Sequence, residues 1–291
     1  MAQGLEVRRT TSAMRYVLSI ASALVLIIGL PQFVLPGKTD TFFSWTVNPP
    51  LTAAFLGGAY LSAFLLEATS ARKRVWAHAR IAVPSVFVFT TLTLVVTFIH
   101  RDKFHFDSTA GSLPWGIAWT WLIVYATVPL IMGATWLLQT RTGGTDPPRL
   151  APPPPVLRIL FGFQATVMLL LGAALLIAPT SIAPSTWPWV LSALTGRAIG
   201  AWLLGLGVAA AQVAWENDFS RHQSAFVAYC ALAVLQLIAV ARFATSTHPV
   251  TGADVLDWGS PQIWLYVSFL LSLGLAGVWG WTFSRRPASL P

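Results

Sequence analysis

The sequence predicts an all-α polytopic membrane protein: eight transmembrane helices, built as two tandem four-helix repeats in the same orientation. Three observations carry that expectation. Of 291 residues, 55% are hydrophobic and 10% charged, with a mean hydropathy of +0.67. A soluble domain carries about 25% charged residues and would have no polar surface at this composition. Eight apolar runs each approach the roughly 20 residues that a bilayer core demands. The two halves also match without a gap at an offset of 143 residues.

The runs fall at 15–35, 51–70, 81–100, 115–139, 157–178, 195–215, 223–244 and 261–283. The first follows Arg8-Arg9-Thr10-Thr11, which superficially suggests a twin-arginine signal. The run is long and no small-x-small cleavage site follows, so it reads as a retained helix. Breaker residues separate the rest: Pro36-Gly37, Asn48-Pro49-Pro50, Gly111, the Pro152–Pro155 run, Pro179, Pro184, Pro188, Pro249 and Gly252. Pro31, Pro84 and Pro129 lie within spans or near their ends, where a membrane helix tolerates a kink.

Orientation follows from Lys and Arg. The side with the N-terminus, the 2–3, 4–5 and 6–7 loops and the C-terminus holds thirteen basic residues, Arg286 among them, and the other side holds five. Both termini are therefore expected in the cytoplasm, with the protein in a bacterial inner membrane. The net charge of +8 is dispersed over short connections and forms no folded basic face, so no nucleic acid is expected as a partner. Trp45, Trp115, Trp187, Trp189 and Trp258 gather on the outer side, as a headgroup-level aromatic belt would.

At the offset of 143, about a fifth of positions are identical, among them Arg15/Arg158, Gly29/Gly172, Pro36/Pro179, Gly57/Gly200, His105/His248 and Trp136/Trp279. Four spans return the chain to its starting side, so the halves share one orientation about an axis along the membrane normal. The units are 1–139 and 157–291, joined by a Pro-rich cytoplasmic linker at 140–156 expected to be extended and semi-rigid. The segments "RILFGFQATVMLLLGAALLIAP" and "LTGRAIGAWLLGLGV" give each four-helix half a resemblance to the DoxX-like class of small bacterial membrane proteins. The whole chain resembles multispan membrane proteins of high-GC bacteria. Neither resemblance implies a catalytic residue.

Candidate chemistry is sparse. There is no Walker loop, G-x-S-x-G, H-E-x-x-H or C-x-x-C, and the one cysteine, Cys230, reads as a small apolar side chain. The five histidines fall at helix ends or in loops, which disfavours a haem, and no cofactor is expected. His105, Asp107 and His248 in equivalent outer loops are candidate metal ligands, set against a reading as solvated loop residues. No charged residue stands at the centre of a span, which argues against a proton relay. Thr93 and Gln236, at matching mid-span positions, are either interhelical glue or the polar lining of a ligand site. Arg197, at the outer mouth of the sixth span opposite Ala54 of the first half, is an anchor at the headgroups or an asymmetric ligand contact. Glycines in the second and sixth spans suggest that these two helices pack on each other at the centre.

The expected function is accordingly non-enzymatic, that of a structural or accessory subunit or scaffold for other membrane subunits. The alternative is a carrier or channel for a small neutral or lipidic solute, with its site at the repeat interface. A membrane enzyme using the outer His and Asp residues ranks last.

Overall fold

A computed structural model describes residues 6–107, 109 and 111–285; Arg286 and the ends of the two predicted units lie outside the described residues. Eight long helices are present: α1 Ser12–Val34, α2 Pro50–Ala71, α3 Ala82–Ile99, α4 Ser112–Thr140, α5 Pro155–Ile177, α6 Ala193–Glu216, α7 Gln223–Arg242 and α8 Pro261–Ser284. Each is long and apolar enough to cross a membrane, α7 together with the 3-10 turn Phe219–His222 that leads into it. Their ends agree with the predicted spans to within three residues. No strand occurs among the described residues. The chain is an all-α polytopic membrane protein.

Local chemistry sets the helix ends. The Thr11 hydroxyl accepts the Met14 amide at 3.3 Å to cap α1, and the Ser192 hydroxyl accepts the Thr195 amide at 3.2 Å to cap α6. Proline opens α2, α5 and α8, where its missing N–H costs nothing. Asn217, in the left-handed region at φ 53°, stops α6.

The helices α2 and α6 are the most enclosed, with 72% and 61% of their apolar windows buried, against 28% for α1 and 22% for α4. Within the halves α1 packs on α2, α3 on α4, α5 on α6 and α7 on α8; between them α2 packs on α7 and α3 on α6. The expected central pairing of α2 with α6 is therefore corrected: these two meet only narrowly, and each turns its glycines toward another helix. A Cβ on Gly29 would stand 3.1 Å from the Gly57 carbonyl oxygen, and one on Gly172 would stand 3.0 Å from that of Gly200. These crossings let α1 lie on α2, and α5 on α6, at backbone contact.

The same contacts recur 143 residues on. The residues α1 buries (Met14, Leu18, Ala21, Ser22, Gly29 and Gln32) each have a buried counterpart at that offset on α5. Arg15 Nε donates to the Ala71 carbonyl at 3.0 Å, closing the end of α2, and Arg158 Nε donates to the Ala214 carbonyl at 3.0 Å near the end of α6. At the opposite end of the bundle, Arg197 donates to the Leu176 and Ile177 carbonyls of α5 at 3.1 and 3.5 Å. Arg242 donates to the Phe33 and Val34 carbonyls of α1, the same two positions one offset earlier.

Three of the five expected belt tryptophans are internal. Trp45, Trp187 and Trp189 are 3%, 6% and 5% exposed, whereas Trp115 and Trp258 face outward. The connections that carry the internal three fold back into the bundle, where Trp45 meets Trp121 edge-on at 5.1 Å and the Trp189 indole donates to Thr52 Oγ1 at 2.9 Å. The linker is tied down as well. Its Leu150 and Ala151 amides donate to the Asp218 carboxylate at 3.3 and 3.1 Å, and Thr145 pairs with the backbone of Glu6 and Arg8.

Candidate functional site

Two cavities open on the sides of the bundle. The first, about 150 Å³, lies among α1, α2, α3, α4 and α6. Aromatic rings wall it. Phe89 stacks on Trp202 with centroids 3.9 Å apart, Tyr60 meets Trp202 edge-on at 4.9 Å, and Trp121 leans on Tyr125 at 4.3 Å. The Tyr60 and Tyr125 hydroxyls bond each other at 2.7 Å across α2 and α4. Glu67, one turn before the end of α2, also lines this cavity; it is 2% exposed, and its Oε2 has no hydrogen-bond partner. Ile27, 70% exposed, stands at the rim.

The second cavity, about 470 Å³, lies among α5, α6, α7 and α8, with Phe55 of α2 and the connection at Trp187 completing it. That volume is in the range of small-molecule sites. Its walls are mostly apolar (Met168, Leu203, Leu232 and Phe269 among them), and a few polar groups converge on it. Gln236 donates to the Phe55 carbonyl at 2.9 Å and accepts from the Tyr266 hydroxyl at 3.3 Å. The Trp187 indole N–H and Gln262 Oε1, both buried, have no partner. Phe163 and Leu265, 60% and 70% exposed, form the rim.

The predicted site residues disperse. Gln236 serves as interhelical glue and as cavity lining at once. Thr93 is 5% exposed and its hydroxyl is unpartnered, but it faces a separate crevice beside Trp121 and Trp202, of about 10 Å³. Arg197 lines neither cavity; it caps α5, and its Nη1 donates to His100 Nε2 at 2.9 Å. Burial, and then the Arg197 charge, hold the His100 ring below its ordinary pKa. His105 has both ring nitrogens engaged, with Phe43 O at 2.9 Å and Thr46 Oγ1 at 3.3 Å. The His248 Nδ1 accepts from the Val250 and Thr251 amides, and Asp107 accepts from the Thr109 amide. No group of three metal-ligating side chains occurs among the described residues.

Sequence reading passed over Glu67, which sits near the end of its span and has Ala210 at the equivalent position. It also missed a charged cluster at the basic end. There Arg80 bridges Asp146 at 2.6 Å and Glu216 at 2.8 Å, while Arg221 reaches Asp218 at 3.1 Å, so the 2–3 loop, the linker and the 6–7 loop are pinned together. Burial works against the Arg80 charge, but its hydrogen bonds and attraction to Glu216 and Asp146 outweigh that and raise its pKa. Three loops distant in sequence build this cluster, and spacing alone carries no sign of it.

The fold and its cavities define a class: a polytopic α-helical membrane protein with ligand-sized hollows opening on its flanks. Comparison with known proteins finds no matching family model, no curated relative and no similar solved structure. The DoxX-like resemblance rests on the two quoted segments alone.

Proposed function

We propose that the protein binds, and carries within the membrane, a small neutral amphipathic lipid that enters the second cavity sideways from the bilayer. The observation that supports this most is the cavity's make-up. It is an apolar hollow of about 470 Å³ with exposed Phe163 and Leu265 at its rim and two unsatisfied polar groups, the Trp187 N–H and Gln262 Oε1, in its lining. A hydroxyl headgroup offers both the acceptor and the donor that these groups lack, and an acyl chain suits the walls. The expectation of an accessory subunit drew on a lack of polar machinery inside the spans; Glu67 and the polar lining of this cavity weigh against it.

We read the two halves, 1–139 and 157–291, as tandem repeats joined at 140–156, with both termini cytoplasmic in a bacterial inner membrane. The recurring caps and crossings support the repeat, and so do the cavities themselves. Seven lining positions of the first, including Val25, Tyr60 and Phe89, have counterparts at the offset in the lining of the second, such as Met168, Leu203 and Leu232. The basic-residue bias supports the orientation.

Photolabelling tests the function. The full chain in nanodiscs is exposed to diacylglycerol carrying a diazirine in its acyl chain. Labelling is expected at Met168 and Phe269, displaced by unlabelled diacylglycerol and abolished by Met168→Trp, which fills the hollow. Gln236→Leu should weaken displacement several-fold while moving stability by about 1 kcal/mol or less, because membrane hydrogen bonds are weak on balance. Labelling spread evenly over the lipid-facing Ile159 and Leu170, and indifferent to Met168→Trp, would refute the reading.

A further inference from the structure

The first cavity differs from the second in one decisive respect, the carboxyl of Glu67. Glu67 is the only acidic residue in α1 to α4, it is 2% exposed, and its Oε2 contacts neither solvent nor a donor. The Tyr60 and Tyr125 hydroxyls bond each other, and neither makes a hydrogen bond to Glu67. No Lys, Arg or His lines the cavity. A carboxylate taken out of water without a partner is costly, and the fold supplies no partner. The rest of the wall mixes aliphatic side chains with five aromatic ones, Tyr60, Phe89, Trp121, Tyr125 and Trp202, which face one hollow. Such π-faces attract a cation, most strongly when it has been desolvated.

We propose that the first cavity binds a hydrophobic organic cation, an ammonium on a single-ring apolar body, with the Glu67 carboxylate as its counter-ion and the aromatic rings as its walls. A metal ion does not suit the site, because no second carboxylate, histidine or cysteine lines it beside Glu67 to complete a coordination shell. A neutral alcohol brings no countercharge that would hold the buried carboxyl ionised. The volume of about 150 Å³ matches a benzene-sized body, and the rim at Ile27 leaves room for a substituent to reach lipid. The equivalent of Glu67 in the second half is Ala210, so preference for a cation belongs to the first cavity alone and stands independently of the lipid proposed for the second.

The test uses the full chain in nanodiscs and radiolabelled phenethylamine, with 2-phenylethanol as its uncharged counterpart. Binding is expected to saturate and to be displaced by unlabelled phenethylamine but not by 2-phenylethanol. It should weaken at least tenfold in Glu67→Gln, whose melting temperature is checked first, and be unchanged in Met168→Trp, which blocks only the other cavity. On the unmutated chain, dicyclohexylcarbodiimide should modify Glu67, located by peptide mass spectrometry, and phenethylamine should protect it; this readout stands even where Glu67→Gln does not fold. The proposal is overturned by equal displacement by the alcohol, by Glu67→Gln binding within twofold of the parent, or by carbodiimide modification that phenethylamine leaves untouched.

Discussion

Replacing Gln32 by leucine should stabilise the protein. Gln32 lies near the end of α1, is 0% exposed, and neither its Oε1 nor its Nε2 has a hydrogen-bond partner. A buried polar group left unsatisfied costs about 1–3 kcal/mol. In a membrane the penalty is smaller in effect, because the unfolded reference also lacks water, so a gain of about 1 kcal/mol is the expectation for Gln32→Leu. The space is suited to leucine. At the equivalent position of the second half stands Leu175, also 0% exposed, in the same relation to the α5–α6 crossing as Gln32 to the α1–α2 crossing. The reciprocal change, Leu175→Gln, should therefore cost at least as much as Gln32→Leu gains. Reversible unfolding in mixed micelles, read by circular dichroism, measures both. Destabilisation by Gln32→Leu would show that the amide does have a partner, such as an ordered water, and would refute the reasoning.

The other predictions concern helix caps, acidity and orientation. Arg15→Ala and Arg158→Ala should each destabilise by about 1 kcal/mol, the latter less because Arg158 is more exposed, and an unchanged unfolding midpoint for both would remove the caps from the account. His100 is held below its ordinary pKa by burial first and Arg197 second, and His78 is lowered chiefly by burial. The native state thus favours neutral rings, so this stability is complete above about pH 6.5 and is lost as pH falls through the histidine range. Thermal unfolding should show that loss between neutral and mildly acidic pH, with a shallower slope in His100→Gln; an unaltered slope would assign the effect elsewhere. In a Cys230→Ala background, a cysteine at Ser185 should react with an impermeant thiol reagent added outside intact cells and one at Thr145 should not, and the reverse pattern would invert the orientation.

The spans were legible because each is a long apolar run bounded by proline, glycine or charge, and membrane helices need little more than that. The packing partners were less so. Glycines at 57 and 200 announce a close approach without naming the helix that approaches, and they meet α1 and α5 where a pairing of α2 with α6 had been expected. Tryptophan at a helix end reads as a belt residue by type; that Trp45, Trp187 and Trp189 turn inward depends on the path of their loops. Gln236 was visible because an amide at mid-span must find partners, and it bonds Phe55 and Tyr266. Glu67 was not, since a carboxyl near a span's end ordinarily reaches water, and only the walls around α2 show that this one does not.

The two cavities differ in the groups that line them, and that difference is what separates the two ligands proposed. Seven lining positions of the two cavities stand at the same register, so part of the apolar frame is shared although the volumes, about 150 and 470 Å³, differ. What differs is a handful of side chains projecting into that frame. Tyr60 and Tyr125, which bond each other in the first half, are replaced at the offset by Leu203 and Ser268, and the bulk that they occupy becomes open space, in keeping with the larger second cavity. Thr93 is replaced by Gln236, which moves amide polarity to the middle of the second cavity. Glu67 is replaced by Ala210, which takes the charge out. Glu67, Thr93 and Tyr125 stand outside the glycine crossings and the arginine caps, whereas Tyr60 and Leu203 pack directly against Gly29 and Gly172 at those crossings. Specificity in this fold can therefore shift at little cost to the scaffold through the Glu67 and Tyr125 positions, and less freely through Tyr60 and Leu203. Conversely, adding a side chain at Gly57 or Gly200, where a Cβ would lie within 2.4 and 2.7 Å of neighbouring backbone atoms, should disrupt the whole half and spare neither ligand.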